Sequence, residues 1–271
     1  MATVSADQIM ADPAHSHTDW DTNASTYVSA YMVMVVGVLC AALAWKAYGR
    51  KGADLFSLEV HFSLFSLLEG LAFGFAGIAQ QTIAHDHWQG ILISRRPFAP
   101  HSEWLAAWAL AMVAAPLASG CLLGALCAHA RAASAWTRWA AILSVLVALV
   151  DLYLCAVSVD LAGRAAMAWG LAASLLALAL SAPGGREATA MIVGCSVRAG
   201  AYLVLVFAPP GCWSSGNDCP FPAEFSQLAV FNSLSVVAIA FIYAGTAEKM
   251  RAAQPYLPAL SGDGPRRCCG M

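Results

Sequence analysis

Long apolar runs separated by short polar segments dominate this chain. A helix needs about 20 apolar residues to cross a hydrocarbon core of ~30 Å, and because lipid satisfies no backbone hydrogen bonds, each such run must be helical. The runs cover residues 27–48, 57–83, 103–129, 137–158, 161–182, 188–208 and 223–246. The pattern predicts an all-α integral membrane protein whose fold is a seven-transmembrane helical bundle. One domain over 27–248 would carry a polar N-terminal tail, 1–26, and a C-terminal tail, 249–271.

Composition supports a membrane protein and narrows its partners. Hydrophobic residues make up 60% of the 271 residues and charged residues 11%, whereas roughly a quarter of the residues in soluble domains are charged. The 14 basic and 16 acidic residues produce no basic field of the kind that nucleic-acid binding requires. The lipid bilayer is therefore the predicted partner, and nucleic acid is excluded.

The distribution of Lys and Arg predicts the orientation. Of the 14 basic residues, ten fall on the side of the C-terminus, three on the opposite side, and Arg198 lies within a run. Since cytoplasmic loops are enriched in Lys and Arg, we expect the N-terminus outside and the C-terminus in the cytoplasm. The first 26 residues lack the features of a cleaved signal or transit peptide, so the first span would itself direct insertion into the secretory pathway or plasma membrane.

Three segments outside the spans suggest covalent modification. The loop "PPGCWSSGNDCP" faces the non-cytoplasmic side in this orientation, where disulfides persist, so Cys212 and Cys219 are predicted to pair as a structural clip. In the tail, Cys268 and Cys269 follow two arginines and are candidates for lipidation. Asn23 begins a glycosylation sequon, but it adjoins the first span, which disfavours its use.

Three ionisable residues lie within the runs and are the first candidates for function. Charges in the hydrocarbon region are costly and are usually paired or exposed to water. Glu69 and Arg198 are predicted near mid-depth in the second and sixth spans, and Asp151 a turn or two further out in the fourth. They indicate either a structural ion pair that locks three helices together or a polar pocket or proton path.

Neutral amides form a second group of candidates. Gln80 lies in the outer part of the second span, and Gln227 and Asn232 lie in the last span. These side chains are predicted either to line an outward-facing cavity or to form hydrogen bonds between helices. In the second span Gly70, Gly74 and Gly77 provide small-residue spacing that allows close helix contact, which predicts a central position for that helix.

Catalytic machinery is not evident in the sequence. A catalytic zinc needs about three protein ligands, yet His61 is the one histidine clearly within a run. His85, His87, His101 and Glu103 flank the loop after the second span, where a solvated loop is the simpler interpretation. Lys249 lies at the end of the last span and does not suit a retinal Schiff base. We therefore predict no metal, no cofactor and no catalytic residue.

A few local motifs resemble a known family. These are "GIAQQ" (77–81), the acid Asp151, and "VLVFAPPGCW" followed by Asp218. In length and span order the chain is similar to the transmembrane-protein-45-like family of seven-span membrane proteins, whose function is largely unknown. The resemblance implies the fold, and it implies family histidines in the last and third spans. The corresponding places here read Phe231-Asn232 and Trp108 followed by Ala109-Leu110-Ala111, so the resemblance also implies that any chemistry of those histidines is lost.

The leading functional hypothesis is a ligand- or lipid-binding, regulatory membrane protein whose polar interior binds a small lipid-like molecule or holds the bundle together. One alternative is a transporter or channel that uses Glu69, Asp151 and Arg198 as its path, although the sequence lacks the internal repeat typical of transporters. A degenerate membrane lipid hydrolase or a seven-span receptor is the second alternative.

Overall fold

Seven long helices account for nearly all of the structure. The structure, a computed structural model, describes residues 15–16, 23–48, 57–89, 91, 93–94, 102–129, 134–181, 186–207 and 226–253. The helices are α1 Ala24–Tyr48, α2 Leu58–Trp88, α3 Trp104–His129, α4 Ser134–Val157, α5 Val159–Ser181, α6 Arg186–Phe207 and α7 Gln227–Ala253. Each is long and apolar enough to cross a membrane, which confirms the predicted seven-span, all-helical membrane protein.

A short pair of strands and the helix ends depart from the prediction. β1 (His15–Ser16) and β2 (Ile93–Ser94) pair in antiparallel fashion, a contact that the apolar pattern did not indicate. α2 continues to Trp88, five residues beyond the predicted span, and α7 continues to Ala253. Hydropathy marks the membrane-crossing part of a helix, whereas backbone hydrogen bonding continues into polar sequence.

Several predicted residues lie outside the described part of the chain. They are Cys212, Cys219, Cys268, Cys269 and His101. Among the described residues, the cysteines are all unpaired thiols: Cys40, Cys121, Cys127, Cys155 and Cys195. The proposed disulfide and lipidation therefore remain predictions from sequence.

Six of the helices close into a ring, and the seventh lies outside it. α1 packs against α2 and α7, and the ring continues through α3, α5 and α6 back to α7. α4 packs on the outer side against α3 and α5. In α4 only 22% of the most apolar stretch is buried, compared with 67% in α3. The apolar residues of α4 thus form a surface suited to lipid contact.

Glycines determine how closely α1 and α2 approach. A Cβ atom added at Gly37 would lie 2.7 Å from the carbonyl oxygen of Ser66 and 2.9 Å from the Cα atom of Gly70. Both are backbone atoms, so only glycine fits without separating the helices. Gly74 and Gly77 lie against the side chains of Met34 and Tyr31 of α1. The glycine stripe predicted on α2 therefore faces α1.

Candidate ligand-binding site

An ion pair between Arg198 of α6 and Glu69 of α2 lies at the centre of the ring. Arg198 Nε is 3.1 Å from Glu69 Oε1, and Arg198 Nη2 is 3.1 Å from Glu69 Oε2. The two side chains are 1% and 2% exposed. This two-bond geometry is the strongest form of an arginine–carboxylate pair, and it neutralises both charges where water is excluded.

The remaining donors of the guanidinium group are also occupied. Nη1 donates to Ser174 Oγ at 2.6 Å and to the carbonyl oxygen of Gly170 at 3.4 Å. Nη2 also contacts Ser119 Oγ at 3.1 Å and the hydroxyl of Tyr202 at 3.4 Å. All five N–H groups of Arg198 thus have an acceptor.

We call this set the Arg198 network; it comprises Arg198, Glu69, Ser119, Gly170, Ser174 and Tyr202. It joins α2, α3, α5 and α6. Aromatic rings of Phe65 and Tyr202 lie 5.8 Å and 5.0 Å from the guanidinium carbon, which adds cation–π attraction. Since every arginine donor is used within the protein, the network has the geometry of a structural lock between helices.

Asp151 does not join the other two ionisable residues. Its side chain is fully buried, and neither carboxyl oxygen has a hydrogen-bond partner among the described residues. It lies on α4, which packs against the outer side of α3 and α5. The structure therefore brings together two of the three predicted residues, because α4 does not reach the centre of the ring.

A cavity of about 120 Å³ adjoins the Arg198 network. All six ring helices contribute to its lining, which is mainly alanine, leucine and methionine. Four aromatic side chains and two amides complete it: Phe73, Trp108, Tyr202, Phe231, Gln80 and Asn232. None of the lining side chains is charged. The cavity is therefore apolar with a few polar positions, as in many sites for small ligands.

The cavity occupies one half of the bundle. Its lining residues lie in the first half of α1, α3, α5 and α7, from the middle of α2 onward, and near the end of α6. Successive spanning helices alternate in direction, so these positions fall on the side of the N-terminal end of α1. Tyr202 belongs to both regions, because it lines the cavity and contacts Arg198 one helical turn away.

The three predicted amides have different roles. Gln227 donates from Nε2 to the carbonyl oxygens of Val204 at 2.9 Å and Leu205 at 3.3 Å, which fastens α7 to α6. It does not line the cavity. Gln227 therefore serves as a hydrogen-bonded contact between helices, one of the two roles that the sequence left open.

Asn232 and Gln80 line the cavity but differ in their hydrogen bonds. Asn232 donates from Nδ2 to the carbonyl oxygen of Thr26 and to Ser29 Oγ, both at 3.0 Å. Gln80 is 7% exposed, and its Oε1 atom has no hydrogen-bond partner among the residues that the structure describes. A buried amide oxygen without a partner is costly, so Gln80 is the polar group of the cavity that calls for explanation.

Small residues create the cavity. At Gly163 of α5 an added Cβ atom would meet only Trp108 Cζ2, at 4.0 Å. Ala72 and Ala76 of α2, and Ala111 and Ala115 of α3, also contribute to the lining. The sequence suggested a cavity beside the amides but not its apolar lining of alanine, glycine and aromatic residues. The available signal was small residues at four-residue spacing on neighbouring helices, but the same signal also predicts close helix contact.

Histidines do not form a metal centre in the described part of the chain. His61 is buried, and its ring lies against Gly124 of α3. His85 Nδ1 is 3.4 Å from Asp86 Oδ1, and His85 Nε2 is 2.9 Å from Gln89 Nε2, at the exposed end of α2. No group of three or more metal-binding side chains occurs among the described residues. The side chain of His87 is outside that set.

Two further predicted positions lie at helix ends. Asn23 immediately precedes α1, and its carbonyl oxygen accepts a hydrogen bond of 3.1 Å from the backbone N–H of Thr26. Lys249 belongs to the last two turns of α7. Both therefore lie away from the centre of the bundle.

Comparison with known proteins assigns neither a family nor a function to this chain. No protein-family model, no curated protein and no solved structure matches this chain. The places where the family resemblance implies histidines, at Trp108 to Ala111 and at Phe231 to Asn232, both contribute to the cavity lining. A functional proposal for this protein therefore depends on the geometry of its own interior.

Proposed function

We propose that this integral membrane protein binds a small, apolar, lipid-like ligand in the cavity of its helical ring. The observation that carries the proposal is an apolar cavity of about 120 Å³ that all six ring helices line and to which no charged side chain contributes. In another protein an engineered apolar cavity of about 150 Å³ stays dry and binds benzene. The space here suits a body of about six non-hydrogen atoms.

The Arg198 network supports binding over transport. A transport path needs groups that exchange partners as the substrate passes, and an arginine whose five donors are all used within the protein offers none. Asp151 lies on the helix outside the ring. The two acids and the arginine therefore do not line one continuous path through the described bundle.

The orientation inferred from the distribution of Lys and Arg suggests the side of the membrane from which a ligand would enter the cavity. With the N-terminus outside, the cavity lies in the non-cytoplasmic half of the bundle. We propose that the ligand enters from that side or from the outer leaflet, in the secretory pathway or plasma membrane. The likeness to the transmembrane-protein-45-like family remains a prediction, and the proposal does not depend on it.

Filling the cavity tests the proposal. Gly163→Leu places a side chain where an added Cβ atom meets only Trp108, at 4.0 Å. Gly200→Leu is the matched control, because it makes the same change on α6 at a position with nothing within 4 Å and outside the cavity lining. Each protein is purified in mild detergent, and the small molecules extracted from it are identified and quantified by mass spectrometry.

The expected result is an apolar molecule at near-equal amount with the protein in the unmodified chain and in Gly200→Leu. We expect its loss in Gly163→Leu, with folding intact by circular dichroism and gel filtration. Equal amounts in both variants would show that the molecule binds elsewhere, and its absence from the unmodified protein would contradict the proposal.

A further inference from the structure

Hydrogen bonds close the ring of helices unevenly around the cavity. We call the end of the bundle that contains the N-terminus of α1 its outer end. At that end, hydrogen bonds join α1 to α2, α1 to α7 and α6 to α7: Tyr31–Gln81, Asn232–Thr26 and Gln227–Val204. The described hydrogen bonds between α5 and α6 all lie at the level of the Arg198 network or further inward: Arg198–Gly170, Arg198–Ser174 and Ser181–Cys195. In the described part of the chain, the outer boundary between α5 and α6 therefore has no such bond.

Exposure along α6 shows where this boundary opens. Ala199, Tyr202 and Val206 share one side of α6 by their helical spacing. Ala199 and Tyr202 are 4% and 5% exposed, and Tyr202 lies against Gly170 of α5. Val206, one turn further out on that side, is 44% exposed. Among the described residues, α5 and α6 thus pack closely at Tyr202 and leave a gap further out, between Gly163 and Val206, which we call the α5–α6 gap.

Arg164 of α5 lies beside the α5–α6 gap. On one flank of α5, Ala162 and Ala166 pack with Ala111 of α3, and the next face carries Gly163, which lines the cavity. Each residue of a helix turns by about 100°. Arg164 therefore lies on the flank opposite Ala162, toward α6, which is the other neighbour of α5 in the ring.

Arg164 is a cation without a counter-charge in the described part of the chain. Its side chain is exposed, and it forms no ion pair with a described residue. It lies about 7.5 Å along the helix axis from Val159, where α5 begins, so its long side chain reaches the surface of the membrane. A guanidinium group in this position offers paired donors to a carboxylate or a phosphate.

The cavity and Arg164 complement two parts of one molecule. The cavity is apolar and suits the end of a hydrocarbon chain, but it offers no counter-charge to an ionic group. An anionic head group inside it would lose its hydration without compensation. At Arg164 the same head group gains a counter-charge and keeps its contact with water, while the α5–α6 gap lets the chain reach the cavity.

From these observations we propose that the ligand is an anionic amphiphile: its hydrocarbon chain passes through the α5–α6 gap into the cavity, and its head group pairs with Arg164. This inference rests on the proposed function and specifies the ligand class of that cavity. With the N-terminus outside, the ligand belongs to the non-cytoplasmic leaflet. Two sources share the chemistry, namely a free medium-chain carboxylic acid and an acidic phospholipid of the bilayer.

Two probes that differ only in the head group isolate the role of Arg164. Trifluorooctanoic acid and trifluorooctanol carry the same chain, with the fluorines on its last carbon. Binding of each probe to the protein in phosphatidylcholine nanodiscs is followed by ¹⁹F NMR at a pH where the acid is ionised, with empty nanodiscs as the blank. Arg164→Gln removes the charge, and Arg164→Lys keeps it. Arg138→Gln is the matched control, because Arg138 is also exposed but lies near the start of α4, at the opposite end of the bundle.

We expect saturable binding of both probes to the unmodified protein and its loss in Gly163→Leu. The preference for the acid over the alcohol should fall about fivefold in Arg164→Gln, the scale of one exposed ion pair. It should be largely retained in Arg164→Lys and unchanged in Arg138→Gln. Because the alcohol needs no counter-charge, its binding to Arg164→Gln also shows that this variant is folded.

Failure of the proposed function and failure of this inference give different results. If the alcohol does not bind saturably, or Gly163→Leu does not remove its binding, the cavity itself is not a ligand site. If the alcohol binds in the cavity but Arg164→Gln leaves the preference for the acid unchanged, the site stands and the anionic ligand is overturned. An equal fall in Arg138→Gln overturns it as well, because the effect would then come from the net charge of the protein.

The composition of the nanodisc distinguishes the two sources. Binding of the alcohol is measured again in nanodiscs that contain phosphatidylglycerol, since a neutral probe is not repelled by the charge of that lipid. If phosphatidylglycerol displaces the alcohol from the unmodified protein, and does so less from Arg164→Gln, the anionic ligand is an acidic phospholipid. If it has no effect while the preference for the acid persists, the ligand is a free carboxylic acid.

Discussion

The Arg198 network and the cavity are neighbours that share Tyr202 of α6. They differ in how far their buried polar groups are satisfied by hydrogen bonds. Every N–H donor of Arg198 has an acceptor within the protein, whereas Gln80 Oε1 has none among the described residues. Lipid offers no hydrogen bonds to make up such a deficit. The Arg198 network therefore satisfies its polar groups within the protein, whereas the packing around Gln80 leaves a buried acceptor unsatisfied, which is costly.

The Arg198 network and the cavity also differ in how closely the helices pack around them. At Gly170 of α5 an added Cβ atom would overlap the ring of Tyr202, so glycine is required where α5 meets the Arg198 network. At Gly163, two turns earlier on the same helix, an added Cβ atom would meet only Trp108 Cζ2, at 4.0 Å. One helix is thus closely packed at the network and loosely packed at the cavity.

The largest effect is expected from breaking the ion pair on one side. Glu69→Leu leaves the guanidinium of Arg198 buried with no counter-charge, which should lower the free energy of unfolding by about 3–5 kcal/mol. Reversible unfolding by SDS titration in mixed micelles measures this change.

The double variant Glu69→Leu/Arg198→Met is the control for that measurement. It removes both charges and keeps apolar volume, so it should recover most of the lost stability. If the single and double variants are equally unstable, the charge pair is not what makes the network sensitive, and its description as a lock would need revision.

Two glycine substitutions sharpen the contrast in packing. Gly37→Ala places a Cβ atom 2.7 Å from the backbone oxygen of Ser66 and should cost about 1–3 kcal/mol by forcing α1 from α2. Gly163→Ala enters open space and should stabilise the protein by about 0.5–1 kcal/mol, because alanine is the better helix former. The same SDS titration compares them, and equal destabilisation would show that the cavity collapses around Gly163.

The sequence predicts the spans and the depth of the residues in the Arg198 network, but not how the helices are ordered around the ring. Hydropathy locates seven helices because the thickness of the bilayer sets their length, and helix position places Glu69 and Arg198 at similar depth. Depth says nothing about the order of helices around a ring. Asp151 was predicted only a turn or two further out, but α4 lies outside the ring, so its carboxyl group does not join the Arg198 network.

The amides show why the cavity was harder to predict. Gln80 and Gln227 are the same residue type, but Gln227 donates to carbonyl oxygens of α6 and Gln80 contributes to the cavity lining. Their roles depend on which neighbouring atoms the packing brings within reach. Alanine and glycine on helix faces allow either close contact or empty space, and only the three-dimensional structure distinguishes these outcomes.

A smaller effect should follow from removing one acceptor of Arg198. Ser174→Ala deletes the hydroxyl that lies 2.6 Å from Nη1 and leaves that nitrogen with the longer contact to Gly170. The expected loss is about 1–2 kcal/mol of unfolding free energy. Ser235→Ala is the control, since Ser235 is equally buried but donates only to the carbonyl oxygen of Phe231 in its own helix. A similar loss in both variants would argue against any special role of the charge.

The smallest effect is expected at Tyr202, the side chain that the two regions share. Tyr202→Phe removes a hydroxyl 3.4 Å from Nη2, but Nη2 keeps Glu69 and Ser119 as acceptors at 3.1 Å. The ring stays over the guanidinium group and against Phe231. We therefore expect a change in unfolding free energy below about 0.5 kcal/mol, and an unchanged amount of the apolar molecule that co-purifies with the protein. If Tyr202→Phe costs as much as Ser174→Ala, or lowers that amount, the network and the cavity act as one unit, and the ligand would then be coupled to the ion pair through this hydroxyl.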